Sequence, residues 1–210
     1  MKTIILLPIF LLLPTLATGQ DTYDDIILLG DDDGYSAVSA SLVDHVTMNV
    51  YVDCPSSPSI SGLEMGLQIA GRTNSILTLS FPVGCSGGGS FDDSDPEFFG
   101  FSVMFDTPLP SAHRVLAATF DVFYLDFYSI EFRIVGADPT NSDDVIPVYF
   151  AESGTDRVPL NPRHNVWFDP CGADFFINSM FSCGNTPVPL ACGSVSDVKN
   201  SWGTVKSLYR

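Results

Sequence analysis

Three stretches of this chain alternate apolar and polar residues with a period of two, and that alternation restricts the fold more than any other feature. In Val46-Thr47-Met48-Asn49-Val50-Tyr51-Val52 every odd member is apolar. Leu63-Glu64-Met65-Gly66-Leu67-Gln68-Ile69 and Tyr128-Ser129-Ile130-Glu131-Phe132-Arg133-Ile134 repeat the pattern. Successive side chains of a strand point to opposite faces, so such runs present one apolar face and one wet face. A helix needs apolar spacings of three and four, which these runs lack. Further strands are expected at Ile26–Leu29, Ile76–Phe81, Phe98–Phe105, Val115–Tyr124, Val145–Phe150 and Val166–Phe168. Between them lie turn-forming clusters such as Cys54-Pro-Ser-Ser-Pro-Ser, Cys85-Ser-Gly-Gly-Gly-Ser, Thr107-Pro-Leu-Pro-Ser and Leu160-Asn-Pro-Arg. Short strands punctuated this way predict an all-β chain folded as one antiparallel β-sandwich, with the three alternating faces buried together.

The first residues read as an export signal. Lys2 supplies a positive n-region, Ile4–Leu16 is an uncharged, mostly apolar run, and Ala17-Thr18-Gly19 places small residues before a cleavage point at Gln20. The run is shorter than the roughly 20 apolar residues that a membrane-spanning helix needs. The expected layout is a signal peptide over 1–19, a sandwich domain over 20–180, a linker over 181–200 and a tail over 201–210. In the tail, Trp202, Val205, Leu208 and Tyr209 fall at helical spacings and Lys206 and Arg210 add positive charge. Such a tail is expected to be amphipathic and to serve as a recognition tag for export or surface attachment.

With 25 Asp+Glu against 9 Lys+Arg, the formal net charge is −16. That balance argues against nucleic acid and anionic membrane surfaces, since phosphate binding needs a basic patch. The five cysteines of an exported chain point to disulfides rather than zinc, because no C-x-x-C spacing is present. Cys54 and Cys85 each follow an expected strand and form the preferred pair. The pairing of Cys171, Cys183 and Cys192 stays open, with one thiol left over.

Two acidic clusters invite a calcium reading. In Asp31-Asp32-Asp33-Gly34 the EF-hand frame fails, because setting Gly34 as the sixth position puts Leu29 first and Ala40 twelfth. Asp92, Asp93, Asp95 and Glu97 fill four of six positions and are the calcium candidates; no other cofactor is expected. His45, His113 and His164 sit in no hydrolase or metalloprotease frame, so no catalytic residue is assigned. The abundant phenylalanines are read mainly as sandwich core.

Ser61-Gly62-Leu63-Glu64, the turn Thr107-Pro108-Leu109-Pro110 and the terminal Trp202-Gly203-Thr204-Val205-Lys206-Ser207-Leu208-Tyr209-Arg210 together resemble a group of secreted bacterial proteins. Members of that group place an S-G-[FLW]-E strand before a Pro-rich turn, and many end in W-G-x-[IV]-K-x-[LM]-Y-R. The resemblance covers about Val46 to Leu160 and the last nine residues. It implies a cohesin-like β-sandwich and no activity. The expected function is a non-enzymatic extracellular binding or structural module, secreted or at the cell surface, whose partner is a protein or glycan. The alternative is a secreted hydrolase acting on polysaccharide or protein; convergent carboxylates in a pocket would favour it, and a shallow aromatic face would favour the binder.

Overall fold

A computed structural model describes residues 25–138, 146–162 and 174–178, all within one compact unit. Every regular element among them is a strand. In chain order these are β1 (Ile26–Gly30), β2 (Ala37–Val38), β3 (Asp44–Asp53), β4 (Ser59–Ala70), β5 (Ile76–Ser80), β6 (Cys85–Phe91) and β7 (Phe98–Pro110). They continue with β8 (Arg114–Tyr124), β9 (Ile130–Val135), β10 (Val148–Phe150), β11 (Arg157–Pro159), β12 (Asn161–Pro162) and β13 (Phe175–Ile177).

Two sheets result. The first runs β12-β1-β3-β8-β5, with β12 parallel to β1 and the rest antiparallel. The second is built around the long strand β4. On one side β4 pairs β7, which in turn pairs β6. On the other side its first half pairs β10 and its second half pairs β9. β10 leads to β11, and β9 leads to β13 and then β2.

The alternating faces form the core, as their period requires. Met48, Val50, Val52, Leu63, Met65, Leu67, Ile69, Ile130 and Phe132 are completely buried, and Val46 and Ile134 nearly so. Phe99, Phe101, Val103 and Phe105 of β7 and Phe120 and Val122 of β8 join the same cluster. Burying each such side chain stabilises by roughly 1.5–3 kcal/mol. Phe99 and Phe101 meet Phe120 edge-on at centroid distances of 5.6 and 6.0 Å. Ala117 has no partner in the β3–β8 ladder, which steps from Val50↔Ala118 to Tyr51↔Leu116. This bulge restores the in–out alternation beyond it.

The structure corrects several expectations. Tyr128, grouped with the core face of its run, is 77% exposed, because β9 starts only at Ile130. Cys85-Ser-Gly-Gly-Gly-Ser, read as a turn, is most of β6; an exposed edge strand needs no apolar alternation. Asn161–Pro162, read as a turn, pairs with β1. The expected strand over 166–168, the leader over 1–19, the linker over 181–200 and the tail over 201–210 lie outside the described residues, as do Cys171, Cys183, Cys192 and His164.

The Cys54–Cys85 pair is also corrected. Cys54 is disulfide-bonded, but Cys85 is a free, half-buried thiol, so the partner of Cys54 lies outside the described residues. Topology keeps the two apart. Cys54 directly follows β3 of the first sheet, and its N–H donates to the His113 carbonyl at 3.0 Å. Cys85 opens β6 in the second sheet, opposite Phe105.

Candidate functional site

Beside β4 the outer face of the second sheet is crowded. A Cβ on Gly66 would lie 2.5 Å from the Gly136 carbonyl oxygen and 2.6 Å from the Phe98 ring. A Cβ on Gly100, opposite Gly66 in β7, would lie 2.6 Å from the Ala137 carbonyl oxygen. Chain segment 136–138 therefore crosses over β4 and β7 and makes a wall. Beside it, over β6 and β7, the face opens into a trough of ≈ 600 Å³. Gly88, Gly100 and Ser102 line the trough, with Phe98, Asp92 and Asp138 around them. Phe98 and Phe99 are neighbours in one strand, so they face opposite sides; Phe99 enters the core and Phe98 lines the trough.

Asp92 is one of the four calcium candidates, and the structure ties two of these carboxylates, those of Asp92 and Asp95, into the turn itself. Asp92 Oδ1 accepts the Ser94 N–H and the Ser94 hydroxyl, both at 2.7 Å. Asp95 Oδ1 accepts the Glu97 N–H at 3.0 Å. Among the described residues no group of three acidic, histidine or cysteine side chains converges where a cation could sit. Asp92, Asp93, Asp95 and Glu97 thus form a hydrogen-bonded turn and not a converged ligand set, because short acidic side chains satisfy nearby backbone donors first. The hydrogen bonds from Ser94 hold the Asp92 carboxyl below its ordinary range.

The other acidic loop is occupied likewise. Asp31 Oδ1 accepts the N–H groups of Asp33 and Tyr35 at 3.0 and 2.8 Å. Asp32 Oδ1 accepts from Asn49 Nδ2 at 2.9 Å, which folds the loop onto β3. Nearby, Arg114 forks onto Asp53 through Nε and Nη2, both at 2.8 Å, and lies 5.1 Å from the centre of the Tyr51 ring. The hydrogen bonds that Arg114 donates to Asp53 raise the Arg114 pKa, while burial raises that of Tyr51. Asp53 is 2% exposed, and this bidentate pair neutralises it.

His45 Nδ1 lies 2.9 Å from both Asp121 oxygens, and its ring stacks on Phe123 at 4.8 Å. The pair is well exposed, so its contribution to stability is small.

Sequence reasoning missed the trough, the one outward phenylalanine beside it and the turn around Asp126. Adjacent aromatic pairs were the available signal, since two neighbours in a strand cannot both point inward. The path of segment 136–138 has no local signature.

No protein-family model matches the chain, and no curated protein matches it. Solved structures of similar fold include the sixth cohesin of scaffoldin B from Acetivibrio cellulolyticus, determined in complex with a Cel5 dockerin mutant. It is 12% identical over 74% of this chain and 98% of that one, with a TM-score of 0.49. The second type II cohesin module of the adaptor ScaA scaffoldin from the same organism is 16% identical over 77% and 94%, with a TM-score of 0.48. A cohesin module from a Clostridium perfringens family 33 glycoside hydrolase is 7% identical over 65% and 96%, with a TM-score of 0.42. These likenesses concern the fold; the functional reading rests on the residues above.

Proposed function

We propose that this chain is an extracellular, non-enzymatic binding module that docks a protein partner on the outer face of β6 and β7. The trough carries the reading. It is shallow and open, its floor is glycine and serine backbone, and its best-defined acid, Asp92, is held as an anion. A catalytic acid needs a pKa raised toward neutrality, and the bonds from Ser94 push Asp92 the other way. Exposed backbone beside a fixed carboxylate, with the largely buried Phe98 ring supporting the floor, suits a surface-to-surface contact. The N-terminal leader supports export, and the proposed site of action is outside the cell or on its surface.

The test places a photo-crosslinking residue at Ser102, in the trough, or at Ser80, exposed on the other sheet. Exported chains should form protein adducts from position 102 and not from position 80. Equal adducts from both positions refute the site. Hydrolysis of polysaccharide or casein by the purified chain, lost in Asp92→Asn, refutes the module reading.

A further inference from the structure

At one end of the sandwich, four loops come together. They are 41–43 before β3, 71–75 between β4 and β5, 92–97 between β6 and β7, and 125–129 between β8 and β9. The ladders place them together: Asp44 pairs Tyr124, Ile76 pairs Phe123, Ala70 pairs Glu131 and Phe91 pairs Phe99. Of the seven large apolar side chains that are exposed among the described residues, five belong to this end. They are Leu42, Val43, Ile76, Phe127 and Tyr128, and the last two are 80% and 77% exposed. Clustered exposed apolar surface with a polar rim marks an interaction site, whereas scattered single residues do not.

The backbone beneath these side chains is tied down. Asp126 accepts the N–H groups of Thr73, Asn74 and Ser75 at 3.2, 2.9 and 3.0 Å, together with the Thr73 hydroxyl. The Tyr124 hydroxyl donates to the Tyr128 carbonyl at 2.8 Å, and the Tyr124 carbonyl accepts the Val43 N–H at 2.9 Å. Arg72 donates to the Ser75 and Pro96 carbonyls at 3.2 and 2.9 Å, joining the acidic loop to the same network. Val43 is held at φ 74°, a conformation that β-branched residues avoid, with its side chain 60% exposed. Two adjacent aromatic rings are thus presented on a fixed backbone, which lowers the ordering cost of binding. Aromatic anchors on such a support dominate the energy of many interfaces.

We propose that this end is a second docking surface, with Phe127 and Tyr128 as its anchors, and that its occupant is a basic amphipathic segment of a partner protein. The rim decides the chemistry. Asp44, Asp92, Asp93, Asp95 and Glu97 lie on these loops or at their borders, on a chain of formal net charge −16. Lysine or arginine flanking apolar side chains complements that rim, and cations also favour the aromatic faces. An anionic bilayer would be repelled. The proposal rests on the reading of this chain as a protein-binding module and adds a second surface, which adjoins the trough at Asp92.

The test follows backbone amide shifts of the full secreted chain by NMR. The probes are an acetylated Lys-Leu-Trp-Lys-Leu-Lys peptide, the same peptide with Glu for every Lys, and vesicles of phosphatidylcholine with and without phosphatidylglycerol. The basic peptide should shift amides of 42–44, 76 and 127–129, and the acidic peptide should not. Phe127→Ser/Tyr128→Ser should weaken binding at least tenfold with an unchanged unfolding midpoint, since both side chains are exposed. The inference is overturned by equal binding of the acidic peptide, by binding that survives the double substitution, by partition onto vesicles, or by no binding. Shifts confined to Gly88, Gly100 and Ser102 overturn it too, while leaving the trough reading standing.

Discussion

Replacing Asp126 by alanine should cost this protein more than its turn position suggests, because one carboxylate organises the whole 73–75 turn. Asp126 is 2% exposed, and Ser75, whose N–H it accepts at 3.0 Å, is 1% exposed. Losing the carboxylate leaves the Ser75 N–H without that acceptor and out of reach of water, at a cost of about 1–3 kcal/mol. The Thr73 and Asn74 N–H groups can turn to water, so together they add about 1–2 kcal/mol. The expected total is about 3–4 kcal/mol near pH 7. The pH dependence follows from the shift. Burial opposes ionisation of Asp126, but the bonds from Ser75, Thr73 and Asn74 outweigh it and hold the pKa well below the usual carboxylate range. A group whose folded pKa is depressed stabilises fully above its unfolded value, about 3.9, and loses that contribution as pH falls through the folded value. The gap between wild type and Asp126→Ala should therefore be constant from about pH 7 to 5 and narrow below about pH 4. Urea unfolding followed by circular dichroism, without reductant, measures both. A loss under about 1 kcal/mol, or a gap unchanged at about pH 2.5, would refute the reasoning.

Other predictions are briefer. Gly66→Ala should destabilise by roughly 1–3 kcal/mol, because its Cβ meets the Gly136 carbonyl, whereas Gly88→Ala, with open space around it, should change stability by about 0.5 kcal/mol or less; equal urea midpoints for the two variants would contradict this. Peptide mapping without reduction should leave the Cys85 peptide unlinked and the Cys54 peptide joined to another segment; a Cys54–Cys85 fragment would show the topology to be wrong. For the tail we propose a sorting role carried by Trp202, Lys206, Tyr209 and Arg210. Deleting 201–210 should then misplace the exported protein while leaving its unfolding midpoint unchanged, and a destabilised protein at its normal destination would end that proposal.

The alternating runs were enough to specify an all-β sandwich and most of its core. A period of two is a local property, so Val46–Val52 and Leu63–Ile69 show their buried faces before any partner is known. Adjacency of side chains is also local, and it required that one of Phe98 and Phe99 point outward, though not which. Other features depended on chain segments meeting across the fold. β6 has no apolar pattern because an edge strand with an exposed outer face needs none, so only its pairing with β7 reveals it. Cys54 and Cys85 looked like partners because each follows an expected strand, yet Cys54 follows a strand of the first sheet and Cys85 opens a strand of the second. Asp126 reads as an ordinary turn residue until the 73–75 turn closes over it, and Tyr128 fits the core pattern until the 125–129 loop carries it outside. Sequence period decides which face of a strand is apolar; the order in which strands pair decides what each face, edge and loop then meets.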